Sequence, residues 1–498
     1  MGGSELTDLT TGPGNYALAS WVFLRLLGLI YLAAFVSLAT QIKGLAGRDG
    51  ILPATEFLIR HRHWGFRRFV RLPSLCWLNA NDGALRFLGW GGAALALLLI
   101  LGLAPAPVLA LLWIFYLSLF TVCRGFLEYQ WDALLLETGF LAPFLAPLEI
   151  APRFPEVFAP SPIIVWLLWW LLFRLMFSSG VVKLRYGDSP WRTRTALSYH
   201  YETQPLPTRL GWHAHQLPVF FHKISAVFMF GIEIFAPFLI ITPPPWRFGA
   251  AALFLLLMVL IQLTGNYCFF NLLGISLTIL LFDDNFLLPA FQSVFSTTDW
   301  PLQIRPVSPS SPWVAAGLAA LILTLSLEPV LRLIRPGIDR PGPFGRFFDL
   351  LEPFRLVNSY GLFAIMTTGR PEIIVEGSDD GTNWREYQFK WKPGNVKRAP
   401  RFAAPHQPRL DWQMWFAALG NYPNHPWFGR FLRCLATGSP AVLSLLEHNP
   451  FPQIPPRYVR GILYDYRFTT WAERRSTGAW WHRERRGPYG PIISRETA

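Results

Sequence analysis

The side chains best able to do chemistry crowd between Gly180 and Pro207, GVVKLRYGDSPWRTRTALSYHYETQPLP. Lys183, Arg185, Trp191, His200, Tyr201, Glu202 and Gln204 stand there, directly behind the apolar run Ile163–Ser178. A chain leaving a bilayer needs only an anchor of Lys, Arg and aromatic side chains. An anchor has no use for His, Glu, Gln and a pair of prolines, so the block reads as a structured polar site at a membrane surface. Lys183 has two readings. A lysine in apolar surroundings gives up its proton readily and can act as a base, whereas a lysine at a helix end also snorkels as a plain anchor. His200 and Glu202, one residue apart, can project to a common face of an extended loop and hold a substrate. The plainer reading is a hydrogen-bonded loop cap shaped by its prolines. In the catalytic reading, Lys183, His200 and Glu202 act on substrate, which Arg185, Trp191, Tyr201, Gln204, Asn266 and Asn271 bind. No second His or Cys stands at ligand spacing, so no metal is expected, and no phosphate-cradling glycine loop is present.

These residues are positioned by membrane spans. The 498 residues have positive mean hydropathy and 16% aromatics but only 15% charged side chains, against roughly a quarter in soluble domains. Nine apolar segments follow one another: Tyr16–Gln41, Phe87–Leu103, Pro107–Val122, Gly139–Leu148, Ile163–Lys183, Val219–Ile241, Phe248–Thr264, Cys268–Leu288 and Trp313–Ile334. Most approach the roughly 20 residues that span a bilayer. Gly139–Leu148 is short and holds two prolines, so it reads as re-entrant or tilted. The fold class is therefore a polytopic α-helical membrane protein of eight or nine transmembrane helices. Glu137, Arg174, Glu233, Asp283 and Asp284 lie in or beside these segments. Each buried charge there costs about 2.5–3.5 kcal/mol on insertion scales, so these side chains should face the bundle and pair. Arg25, Arg124 and Arg174 are the expected partners of the acids.

Residues 1–335 read as the transmembrane domain with polar loops at 42–86 and 180–217, and residues 336–498 as a C-terminal α+β, β-sandwich-like domain on the membrane face. Strands are expected at Phe363–Thr367, Glu372–Ser378 and Glu386–Lys390, and helices at Leu410–Leu419 and Phe428–Ala436. The net charge of +13 sits beside apolar spans, which favours lipid head groups over nucleic acid. Arg60–Arg71 reads as an amphipathic helix on those head groups. With nine spans, both polar loops and the C-terminal domain share one side. Their basic character would place that side in the cytoplasm, though long loops obey the charge rule weakly. A Cys76–Cys434 bridge stays open on sequence alone, and the acidic start and long first apolar run give no cleavable leader.

Several uncommon blocks occur in one order: LLLETGFLAPFLAP, SYHYETQPLP, GNYCFFNLL followed by FDD, VNSYGLFAIMTTGRPEIIVEG, PHQPRLDWQMWFAAL, LLEHNPFPQIPPRYVRG and WWHRERRGPYGP. In these the chain resembles the lipase maturation factor family of endoplasmic-reticulum membrane proteins. The resemblance implies a maturation or folding factor for secreted lipases or related exported proteins, with the C-terminal domain on the extracytoplasmic side. The compact loops and Pro/Ala/Leu-rich spans point to a bacterial inner membrane. SGVVKL at Ser179–Leu184 is similar to a segment of vitamin K-dependent carboxylases. That weaker resemblance implies an alternative: a quinol-type membrane enzyme with Lys183 as base. No cofactor is expected beyond a lipid or quinone, and the expected partners are membrane lipids and lipase-type clients.

Overall fold

The computed structural model describes residues 16–151, 156–295, 303–306, 312–335 and 342–497. In chain order its main helices are α1 (Ala17–Ala39), α2 (Asp82–Leu101), α3 (Pro105–Val122), α4 (Gln130–Leu145), α5 (Pro162–Arg185), α6 (Ala196–Thr203), α7 (Val219–Phe230), α8 (Trp246–Thr264), α9 (Phe270–Ile279), α10 (Asp284–Phe295) and α11 (Pro312–Ile334). Among the described residues seven helices are long and apolar enough to cross a membrane: α1, α2, α3, α5, α8, α11, and α7 with its continuation to Ile241. The chain is a multi-pass membrane protein.

Two expectations about the apolar segments change, and one about the basic stretch between the first two. Cys268–Leu288 is not one straight span: α9 and α10 meet at a 110° bend and make an eighth span only if counted together. The bend falls where Asp283 bonds the Phe286 N–H at 3.0 Å and Asp284 takes the N–H groups of Ala17 and Leu18 at 3.0 and 2.9 Å. Those donors are the orphan amides of the first turn of α1, so Asp284 caps that helix from a distance. Gly139–Leu148 falls mostly within α4, whose 16 residues reach only about 24 Å, yet the helix is not re-entrant. It runs from the Asp132–Arg409 pair to the far end of the bundle, where the Ile150 carbonyl accepts the Ala104 N–H of the α2–α3 turn at 2.7 Å. Arg60–Arg71 is not one helix but the end of Ala54–His61 followed by Arg62–Trp64 and Arg67–Arg71. Gly65 at φ +57° breaks the run, a conformation glycine adopts without steric cost.

The span beginning with α7 also deforms, with consequence. Gly231–Phe235 forms a π-helical turn and Ala236–Ile241 a 3-10 turn. Pro237 has no N–H to return to the Glu233 carbonyl, so an α-helical register fails there. Glu233 sits in that turn. Gly180 of α5 lets it come close: a Cβ on Gly180 would lie 2.6 Å from Ile234 Cγ1 and 3.0 Å from Glu233 Cβ.

The expected domain boundary at 335/336 abuts residues 336–341, which lie outside the described residues. Beyond them the β structure is antiparallel. Strand β3 (Arg370–Ser378) pairs with β4 (Arg385–Glu386) and with β7 (Tyr458–Phe468), which also pairs with β8 (Trp481–Pro488) and β9 (Ile493–Ser494). A separate ribbon joins β5 (Gln388–Phe389) to β6 (Leu446–His448); the labels β1 and β2 denote a parallel pair, Glu156–Ala159 with Gln303–Pro306. Helices α12 (Arg409–Leu419) and α13 (Pro426–Ala436) pack on β3 and β7. The strand expected at Phe363–Thr367 is irregular chain instead. Phe363 has φ +56°, its carbonyl accepts from Trp191 Nε1 at 2.8 Å, and Met366 N–H donates to Asp188 at 3.0 Å. Side chains have taken the groups that a ladder would use. Glu386–Lys390 is likewise split, into β4 and β5.

The C-terminal region is bound to the helices through their interiors. One apolar cluster runs from Phe23 and Tyr31 of α1 through Leu134 of α4 to Met414, Phe428 and Val459. Arg409 at the start of α12 donates to both oxygens of Asp132 in the first turn of α4, at 3.0 and 2.9 Å, and to the Phe126 carbonyl at 2.6 Å. Both side chains are fully buried. Glu137, one turn on, pairs with Arg174 of α5 and also accepts from Tyr360 Oη at 2.6 Å and the Asn358 N–H at 2.9 Å. At the polar end, Arg430 bridges both Glu56 oxygens at 2.8 Å, Ser439 bonds the Asp49 carbonyl, and Arg370 bonds the carbonyls of Glu202 and Pro205. The 42–86 loop, the 180–217 block and the C-terminal region thus meet at one end of the bundle. The four cysteines are free thiols.

Removing one partner of a buried ion pair leaves the other charge stranded. Arg409→Met or Asp132→Asn should therefore cost about 3–5 kcal/mol. Arg430→Ala, which opens the exposed pair with Glu56, should cost under about 1 kcal/mol. Thermal unfolding of the three variants in one detergent measures the contrast; equal shifts would refute this ranking.

Candidate functional site

A cavity of about 350 Å³ opens among α5, α6, α7, its π turn and α8, with Leu362 and Phe363 of the C-terminal region in its wall. Its polar lining is Lys183, His200, Tyr201, Glu233, Tyr267, the Trp191 ring and the hydroxyls of Ser179, Ser225 and Thr264; the remainder is mostly aliphatic, with Leu175, Met258 and Ile261. Lys183 comes from the last turn of α5 and is 5% exposed. Its Nζ lies 2.7 Å from both Glu233 oxygens and 5.6 Å from the Trp191 ring centre. Two charges taken out of water require this geometry, because an unpaired one is far too costly. Glu233 finds its partner in Lys183 rather than in an arginine. The ammonium is thus committed to a carboxylate, which is not the free base of the catalytic reading.

His200 is held by a chain of hydrogen bonds whose direction is fixed. Gln204 Nε2 donates to the carbonyls of Tyr201 and Thr264 at 3.1 and 2.8 Å. Its Oε1 must then accept, and Tyr267 Oη donates to it at 2.9 Å. Tyr267 has no second proton, so the 3.1 Å contact with His200 Nε2 has the imidazole as donor. That tautomer leaves Nδ1 as an acceptor without a donor among the described residues. Burial, with the Lys183 charge, pushes the His200 pKa down to about 4, so the ring is neutral at neutral pH.

Of the residues grouped from the sequence, Lys183, Trp191, His200 and Tyr201 line the cavity; Arg185 and Glu202 do not. Residues Ala196–Thr203 form helix α6, not an extended loop, so His200 and Glu202 diverge around it. Glu202 instead accepts the Phe468 N–H at 2.7 Å and lies 3.5 Å from His215 Nε2. Burial pushes its carboxyl up, against that N–H and the Arg370 and Arg467 charges. Arg185 turns toward the end of α11 and donates to the Arg332 and Leu333 carbonyls. Gln204 orders the His200 chain from outside the cavity.

The two asparagines also lie elsewhere. Asn266 crosslinks the bundle to the C-terminal region: it donates to the Leu206 and Arg401 carbonyls at 2.9 Å and accepts the Ala403 N–H at 2.6 Å. Asn271 donates to Gln262 at 3.0 Å within the bundle. Asp283 stands 4.0 Å from Arg247. Sequence reasoning passed over Tyr267 and Phe363. Both sit inside uncommon blocks, GNYCFF and GLFAIM, but aromatics in apolar surroundings carry no spacing signal of their own. It also missed Asp132 and Arg409, whose cue was an acid in the first turn of a short apolar helix.

The neutral imidazole gives a pH test. An unfolded histidine binds a proton below about pH 6.5, whereas folded His200 does so only near 4. Between these values the unfolded state takes up more protons, so the stability tied to His200 falls as pH falls. His200→Gln should lose less stability than the parent on acidification, by on the order of 2 kcal/mol at about pH 5. Parallel melting curves from about pH 7 to 4.5 measure it; identical pH slopes would contradict the assignment.

Two family models match the chain: the lipase maturation factor transmembrane domain over residues 18–289 and the lipase maturation factor C-terminal domain over residues 356–491. Lipase maturation factor 2 of Xenopus laevis is 37% identical, over 96% of this chain and 83% of the relative. Lipase maturation factor 2 of Homo sapiens is also 37% identical, over 95% and 82%. Lipase maturation factor 1 of Bos taurus is 34% identical, over 97% and 90%. No solved structure matches the chain. These relatives are vertebrate proteins, and they support neither the bacterial inner membrane nor the carboxylase resemblance at Ser179–Leu184. Two models that together cover most of the sequence, and relatives aligned almost end to end, decide the family. The chain belongs to the lipase maturation factor family.

Proposed function

We propose that this protein is a membrane-bound maturation factor that brings secreted lipases, or related exported proteins, to their active fold. The observation that carries this reading is the continuity of the family match through both the helical and the C-terminal parts. The architecture supports it. The polar loops and the β-containing region form one assembly at one end of the bundle, where an exported client would meet it. That assembly lies on the extracytoplasmic side of its membrane, as expected of a protein that handles secreted clients. The quinol-enzyme alternative has no such support, since Lys183 is paired with Glu233 and the relatives named above carry the name of maturation factors.

Two experiments test the proposal. The protein is co-expressed with a secreted lipase in cells whose own maturation factor has been removed. The activity of secreted lipase per unit mass should rise severalfold, and the Arg409→Met variant, brought to equal expression, should restore much less. Unchanged specific activity with the parent protein would end this reading. Separately, single cysteines at Arg62 and at Arg475, both exposed, should react with an impermeant maleimide from the extracytoplasmic side in sealed membranes. Labelling of either from the cytoplasmic side would refute the orientation.

A further inference from the structure

The cavity beside Lys183 has properties that a mere packing defect would not. Its charges cancel internally, since the one ammonium is bound by the one carboxylate at 2.7 Å. An ionic headgroup would have to break that pair or remain uncompensated in a low dielectric, and both are costly. The wall nevertheless offers unsatisfied hydrogen-bonding capacity. His200 presents Nδ1 as an acceptor, because its Nε2 proton is committed to Tyr267. The hydroxyl of Tyr201, a second lining residue, has no hydrogen-bond partner among the described residues. Ser179 and Thr264 spend their hydroxyls on backbone carbonyls one turn back, Ser225 adds a third hydroxyl, and the remaining wall is apolar. Phe228 of α7 and Leu260 of α8, both about half exposed at 47% and 46%, belong to the cavity wall and to the outer, hydrocarbon-facing surface of the bundle. The cavity therefore communicates with the lipid phase between α7 and α8, and its size falls within the range of small-molecule sites.

We infer that this cavity binds an uncharged lipid bearing a free hydroxyl, with the hydroxyl donating to His200 Nδ1 beside Tyr201 and the hydrocarbon chain leaving between Phe228 and Leu260. The neutral state of His200 fits this assignment, since an imidazolium would have no acceptor to offer. A hydroxyl is both donor and acceptor, so it can also answer the Tyr201 phenol, whereas an ester or an alkane cannot donate to the imidazole. The inference does not depend on the maturation role proposed above. It concerns what occupies the bundle, whatever the assembly at its polar end does.

The test uses the full-length protein in nanodiscs and a photoactivatable probe, a long-chain monoacylglycerol with a diazirine in its acyl chain. The same chain ending in a carboxylate and in a trimethylammonium group serves as comparison. The monoacylglycerol should crosslink to Phe228 and to its neighbours along α7 and α8 more strongly than either charged probe. Tyr201→Phe and His200→Phe should each lower that labelling roughly three- to tenfold, as expected for one lost hydrogen bond in a dry site. Ile261→Trp, which fills the cavity from α8, should abolish it while the protein remains monodisperse. Should His200→Phe fail to fold, Tyr201→Phe and the headgroup comparison decide. Equal labelling by all three headgroups, or labelling untouched by Ile261→Trp, would overturn the inference.

Discussion

A carboxylate cannot stay buried among apolar helices without a partner, and this chain buries two on the short helix α4. Asp132 and Glu137, five residues apart, are both fully buried. Neither is satisfied by the bundle alone. Asp132 takes its guanidinium from Arg409, far along the chain. Glu137 takes one from Arg174 within the bundle, but also a phenol and a backbone amide from Tyr360 and Asn358. These two acids of α4 are thus completed by donors of the C-terminal part, and neither part can leave without stranding a charge.

That constraint positions the cavity. Docking Asn358 and Tyr360 onto Glu137 fixes the chain that follows, and Leu362 and Phe363 then close the space over Lys183 and His200. Trp191 anchors the same segment through the Phe363 carbonyl. Arg370, at the start of β3, clamps the end of α6 by bonding the Glu202 and Pro205 carbonyls and is itself paired with Glu372 at 2.7 Å. The dense polar block behind α5 therefore divides its labour. Lys183, Trp191, His200 and Tyr201 serve the cavity, while Arg185, Glu202 and Gln204 hold the parts around it together.

Much of this was legible in the sequence, and the failures are instructive. Hydropathy located the spans because lipid imposes it along each crossing helix, and the C-terminal helices were marked by segments rich in Trp and Phe. The bend between α9 and α10 was hidden, since it depends on Asp284 reaching the start of α1, more than 260 residues away in the chain. Phe363–Thr367, FAIMT, is an apolar run short enough to read as a strand, but its backbone groups are taken by Trp191 and Asp188. The polar block was visible as a site by density alone. Its internal geometry was not, because α6 is helical where the prolines and polar residues suggested a loop. No local pattern marks Glu233 as the partner of Lys183; that pairing needs the π turn that Pro237 creates.

The buried acids of α4 make the helices and the C-terminal region a single cooperative unit. Hydrogen–deuterium exchange on the purified full-length protein, comparing parent with Glu137→Gln, tests this most directly. The amide of Asn358, bound to Glu137 at 2.9 Å, should lose protection, and the loss should extend through residues 356–366 into β3 and α6. Faster exchange confined to α4 and the Asn358 amide, with the sheet and α6 protected as in the parent, would contradict the claim.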